Sequence, residues 1–251
     1  MAKLEWDKTG ERYYETGVDH AVLFVQKTDG TYDKGVAWNG ISSVSESPSG
    51  AESNAVYADN IKYLDLISKE DFGATVEAYT YPDEWEICDG SASPSTGVTL
   101  GQQARRAFGL CYRTKIGNDV ANDDYGYKIH LIYNCKAAPS ERSYQTINDS
   151  PEAITFSWEI TTTPVNVTGY KPCSNITIDS TKVDATKLAS FLDIIYGKDP
   201  TTQGGDDGTD PRLPSPDDVI KHFATESTDG ETVIVDGETN GETNGETTGE
   251  G

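Results

Sequence analysis

The sequence is poor in the residues from which most active sites are built. Its three histidines, His20, His130 and His222, lie far apart with no H-x-x-x-H pair and no His/Cys cluster, which argues against a catalytic metal. The four cysteines, Cys88, Cys111, Cys135 and Cys173, are widely spaced and include no C-x-x-C pair, so neither a zinc site nor a dense disulfide framework is indicated. They read as free thiols of a reducing compartment, buried as small hydrophobes. The nucleotide and nucleophile signatures G-x-x-x-x-G-K-[ST], G-x-G-x-x-G after a strand and G-x-S-x-G are missing, and no cofactor is implied. Positive charge is also scarce: 20 Lys and Arg stand against 42 Asp and Glu, a formal net charge of −22, which disfavours a surface built to grip phosphate backbones. No run of about 18 apolar residues occurs, and Met1-Ala-Lys-Leu-Glu-Trp-Asp-Lys8 has no apolar stretch behind its charges, so a soluble, unexported chain without a membrane segment is expected. With carboxylates this common, Glu77, Glu84 and Glu86 could stand at acid/base distance by chance, but nothing in their spacing selects them, and no enzyme activity is expected.

What the sequence does contain is alternation with a period of two. Ile154, Phe156, Trp158 and Ile160 alternate with Thr155, Ser157, Glu159 and Thr161, the pattern of a strand with one face on a core and one in water. In 108–116, Phe108, Leu110 and Tyr112 oppose Cys111, Arg113 and Lys115. In 127–135, Ile129, Leu131, Tyr133 and Cys135 oppose Lys128, His130 and Asn134. Three such strands can roof one core. The Gly/Asn/Asp-rich connection 117–126 predicts antiparallel pairing of the first two.

Around this centre the chain reads as mainly β with one packed helix. Residues 1–17 form a polar N-terminal arm carrying Trp6, Tyr13 and Tyr14, ahead of strands near 20–26 and 34–41. The stretch 42–60, with Ser42, Pro48, Gly50 and Asn54, has too few apolar residues to pack by itself and is expected to be a long loop. Strands at 60–67 and 73–81 follow, then an irregular segment to Leu100. Leu188, Phe191, Leu192 and Ile195 make one apolar stripe on a helix from Asp184, its N-cap, to Tyr196, stopped by Gly197. Beyond it the composition shifts: 199–251 carries fourteen Asp and Glu against Arg212 and Lys221. The expected division is therefore a domain over 1–198 and an acidic extension over 199–251. That extension has a short helix at 215–223, a possible strand at 231–236 and a disordered Gly-Glu-Thr repeat.

The runs FGLCYRTKIGND (108–119), YKIHLIYNCKAAPSE (127–141) and ITTTPV (160–165) resemble the major tail protein, or tail tube protein, of long-tailed, non-contractile bacteriophages, of the type common in phages of Gram-positive bacteria. The resemblance runs from about Asp7 to Gly197. It implies a β-sandwich or barrel of the tail tube fold, a virion protein made in the host cytoplasm, and hexameric rings stacked into a tube through which double-stranded DNA passes without adhering. The partners implied are other copies of the chain and tail proteins such as tape measure, terminator and baseplate hub. On that reading the N-terminal arm and the 42–60 loop reach neighbouring subunits, Glu77 and Glu159 are candidates for an acidic lumen, and the extension decorates the outside. The alternatives are the tube protein of a contractile injection system and a surface-displayed ligand- or carbohydrate-binding β-sandwich, in which Trp38, Trp85 or Tyr79 would stack on sugar.

Overall fold

A computed structural model of the chain describes residues 3–147, 149–150, 152–200 and 207–224. The N-terminal strands are β1 (Tyr14–Val25), β2 (Val36–Trp38), β3 (Ile41–Glu46), β4 (Ser49–Gly50), β5 (Ser53–Ala58), β6 (Ile61–Ile67), β7 (Glu70–Asp71) and β8 (Gly73–Ala78). A hairpin of β9 (Ala92–Ser95) and β10 (Val98–Leu100) follows, where an irregular segment was expected. The central strands are β11 (Phe108–Asn118), β12 (Asn122–Ala137) and β13 (Phe156–Thr162), then β14 (Val165–Val167), β15 (Tyr170–Cys173) and β16 (Asn175–Asp179). Helices α1 (Ala185–Tyr196) and α2 (Pro216–Phe223) close the described chain.

The architecture is mainly β, as the sequence predicts. Eight strands form one sheet in the order β2-β1-β11-β12-β13-β8-β3, with β16 added to β12. One edge of β12 pairs with β11, antiparallel across the 117–126 turn as expected. Its other edge pairs first with β16 and then, over Cys135–Ala137, with β13. β1 also lies against β3, so the sheet curls around its own inner face.

The three central strands do not roof a single core. The inner face gathers Leu23, Trp38, Val76, Trp85, Phe108, Leu110, Trp158 and Ile160 into one cluster; the indoles of Trp38, Trp85 and Trp158 stand 4.5, 5.6 and 5.2 Å apart, tilted or edge-on as their quadrupoles favour. The outer face carries Phe24, Cys111, Ile129, Leu131 and Tyr133 beneath Leu188, Phe191 and Ile195 of α1. Strict alternation would put Cys135 with Ile129, Leu131 and Tyr133. Instead Asn134 takes a left-handed conformation (φ 50°), a bulge shifts the pleat by one residue, and Cys135 joins the inner core with Ile132. A sheet covered on both faces shows near-continuous apolar runs, so the period alone does not tell one face from the other.

α1 begins where its cap predicts: the Asp184 carboxylate accepts the backbone N–H groups of Thr186 and Lys187, at 3.0 and 2.9 Å, and Gly197 (φ 81°) ends the helix. α2 has the expected Ser215 cap, completed by Asp218 as a capping box, with Pro216 in its first turn. It does not belong to a separate extension. Leu213, Val219 and Phe223 pack into the outer core, and Leu213 sits so close to the Gly109 backbone that a Cβ there would lie 2.3 Å from it. Among the described residues, packing therefore continues past the 198/199 division through residue 224. The expected strand at 231–236 and the terminal repeat lie outside the described residues.

Candidate functional site

The 42–60 stretch is not a loop. Ser42 lies on β3, Pro48 between β3 and β4, Gly50 on β4 and Asn54 on β5, and the chain from Ser47 to Phe72 is one long hairpin arm rising between the neighbouring sheet strands β3 and β8. The signal for it is Asp59-Asn60, at φ 51° and 63°: two consecutive positive angles make the tight hairpin turn that Asp and Asn tolerate. β5 and β6 pair with each other and with no other described strand.

Both faces of this hairpin are open, one apolar and the other mixed, where Ser53 donates to the Asp65 carboxylate beside Ile67. Opposite pairs place Val56 with Leu64 and Asn54 with Leu66 on one face, and Ser53 with Ile67 and Ala55 with Asp65 on the other. All seven residues of β6 are exposed, and Tyr57, Tyr63 and Ile67 are 70%, 68% and 72% exposed. A two-stranded hairpin is marginal in water by itself, and here Tyr57, Tyr63, Leu66 and Ile67 stay mostly exposed.

The N-terminal arm divides in two. Gly10 is tied to the end of β11, donating its N–H to Asp119 (2.9 Å) and accepting from the Asn118 amide (3.0 Å). Tyr13 packs on Tyr125 (ring centroids 5.1 Å apart), and Tyr14 already belongs to β1, its ring filling the space where a side chain on Gly117 would stand. These two aromatics serve the chain's own sheet. Leu4 and Trp6, before the tie, are exposed.

Glu77 and Glu159 fall on one face. The register Ser43↔Glu77↔Ser157 and Thr75↔Glu159 sets them among hydroxyl side chains on the side of β3, β8 and β13 away from the inner core; Glu77 accepts a 2.9 Å bond from Ser43, and Glu159 is exposed. Trp38 and Trp85 are 3% and 0% exposed in the inner core, so neither can stack on a sugar; Tyr79 alone of the three is accessible. Cys88, Cys111 and Cys135 are buried free thiols, as expected, and burial pushes Cys88 and Cys111 up to about 12. Among the described residues no group of three His, Cys, Asp or Glu side chains is placed to hold a metal ion, and no helix is long and apolar enough to cross a membrane.

One polar cluster had no signal in the sequence. Glu46, the last residue of β3, accepts the Tyr112 hydroxyl of β11 and stands 3.4 Å from Nδ1 of His130 on β12. The Tyr112 and His130 rings stack at 4.7 Å, within 5° of parallel, and Thr114 Oγ1 meets His130 Nε2 at 2.9 Å. The residues are 66 and 84 positions from Glu46, a separation that pattern reading does not bridge.

These features define a class: a mainly-β domain on a two-sided antiparallel sheet that carries an unpartnered apolar hairpin. No family model and no curated protein matches the sequence. Among solved structures, the chain is similar to one in the six-fold symmetrised baseplate of the anti-feeding prophage, at 9% identity and a TM-score of 0.30, over 70% of this chain and 97% of that one. It is also similar to one in the PVC sheath–tube complex, in its extended state, of an extracellular contractile injection system, at 12% identity and a TM-score of 0.29, over 70% and 94% of the two chains.

Proposed function

We propose that this protein is a structural subunit of a phage-type tail, assembling through its arm into hexameric rings that stack as a tube for the passage of DNA. The observation that carries the reading is the β5–β6 hairpin, which holds Tyr57, Tyr63, Leu66 and Ile67 exposed and is covered on neither face. Burying each large apolar side chain is worth about 1.5–3 kcal/mol, so the arm has several such side chains to offer a neighbour and none to lose by leaving its own domain. The resemblance of the central strands to tail tube proteins supports a second copy as that neighbour, in a head-to-tail contact that can repeat. The polar face bearing Glu77 and Glu159 suits the bore: its carboxylates repel phosphates over the ~8 Å that salt leaves unscreened, so DNA slides without sticking. Tape measure, terminator and baseplate hub proteins are the further partners of such a tube.

The test is assembly of the full chain across a dilution series, by sedimentation and negative-stain microscopy. Rings or tubes are expected from the wild type, and single particles with an unchanged melting temperature from Tyr57→Ser/Tyr63→Ser/Ile67→Ser. Wild-type protein that stays a single globule at every concentration, even with partner tail proteins added, sinks the reading. For the bore, Glu77→Lys/Glu159→Lys tubes should form normally and release DNA more slowly; release at the wild-type rate removes the lumen assignment.

A further inference from the structure

The arm is long, yet little holds it to the sheet. Between Ser47 and Asp71 no residue is buried. Its two legs meet at the root through the Ser47 N–H donating to the Gly73 carbonyl (2.8 Å), and Thr162 Oγ1 of β13 donates to the Phe72 carbonyl of the returning leg (2.7 Å). Above the root β4 and β7 pair over two residues each, and the legs are then joined through Ala51 and Lys69 and through Glu52 and Ser68. The bond that reaches from the root to another wall of the sheet is made by Glu46, whose carboxylate spans from the end of β3 to Tyr112 and His130.

The chemistry of this contact suits a fixed anchor. Tyr112 is 2% exposed, and burial together with the Glu46 hydrogen bond pushes its hydroxyl above the ordinary tyrosine range, so it stays a donor. His130, with Tyr112, holds the Glu46 carboxyl below the ordinary glutamate range against the opposing effect of burial, so it is charged at neutral pH. Nδ1 of His130 stands 3.4 Å from both the Glu46 carboxylate and the Thr177 hydroxyl, and Nε2 meets the Thr114 hydroxyl at 2.9 Å. The planar stack on Tyr112 leaves the imidazole little freedom to turn. Charge-assisted bonds are shorter and stronger than neutral ones and carry direction.

We infer that Glu46, Tyr112 and His130 form a lock that sets the direction in which the arm leaves the sheet. They are positioning residues: they act through the arm, not by touching a neighbouring subunit. The consequence for assembly rests on the tail-subunit reading, whereas the consequence for arm geometry does not.

The experiment separates the two. Spin labels at Lys62→Cys on the arm and Lys136→Cys on β12, in a Cys173→Ser background, report the arm-to-sheet distance at dilutions below assembly; the other three cysteines are buried. The comparison is Glu46→Ala/Tyr112→Phe, which removes both partners of the half-buried bond and so leaves no orphaned hydroxyl to unfold the sheet. One narrow distance in the wild type, spreading in the double variant at an unchanged melting temperature, is the expected result. An unchanged distance distribution overturns the lock. If the double variant does not fold, Glu46→Gln, which keeps an acceptor for Tyr112 but loses the charge, is expected to spread the distance as well, and its failure to do so overturns the lock equally. In the assembly assay the lock predicts about a tenfold rise in the concentration needed to form rings, the scale of one charge-assisted hydrogen bond. Wild-type protein that never assembles counts against the tail reading alone, and the spin-label result still decides the lock.

Discussion

Where β1 bulges, Asp19 takes both bonds of the Arg113 fork, at 2.6 and 2.8 Å, and the same guanidinium lies over the Tyr127 ring at 5.1 Å. Arg113 first, then His20, holds the Asp19 carboxyl below the ordinary aspartate range. A depressed folded value means the contribution is present above the unfolded value, about 3.9, and is lost as pH falls through the folded one. Asp19→Asn should therefore cost about 1 kcal/mol in urea unfolding at pH 7, a modest figure because the pair is partly exposed; the gap between variant and wild type should close below about pH 4. A gap that persists at lower pH would show that packing, not charge, makes the difference. In the inner core Trp158→Ala should cost about 3–5 kcal/mol, since its four aromatic neighbours cannot collapse into the space. Buried thiols held in the neutral form are poor nucleophiles, so a thiol reagent applied to the native protein should modify Cys173 and spare Cys88, Cys111 and Cys135, whereas unfolded protein reacts at all four.

At the scale of elements, the helices are the best case for reading local chemistry. Asp184→Ala removes an acceptor for two backbone N–H groups and should lower stability by about 1 kcal/mol, measured as a fall in the urea midpoint. Both caps were legible because Asp184 and Ser215 act within three residues of their own position. The half-wet strand β13 was legible for the same reason, with Trp158 and Ile160 inward and Glu159 outward. Two elements were not legible, each from a physical cause. β12 is covered on both faces and changes phase at Asn134, so no single period describes it. The arm is rich in Ser, Gly and Glu at its legs, which reads as loop, while the Asp59-Asn60 turn that organises it is a weaker signal than Asn-Gly. Of the side chains the arm presents, Tyr57 lies within the 42–60 stretch, while Tyr63 and Ile67 lie on the strand expected at 60–67.

At the scale of the molecule, composition pointed to a break after residue 198 that the packing does not respect. The acidic character is real, yet Leu213 and Val219 are buried beneath it against β11 and α1. Ending the chain at residue 206 should thus remove two buried aliphatic side chains and leave their neighbours wet, a loss of roughly 3–6 kcal/mol. That loss would appear as a large drop in melting temperature and as dye binding to exposed apolar surface. Equal melting temperatures for the two lengths would mean that the outer core stands without its last helix.

Because the arm leaves from one strand and returns into the adjacent antiparallel one, the sheet neither gains nor loses a pairing with the arm's length. Joining Glu46 to Gly73 through a short Asn-Gly turn should give an ordinary hairpin within an otherwise intact domain. The reach of the arm is then a dimension that insertion and deletion can adjust over generations while the scaffold stays constant, without a toll on folding.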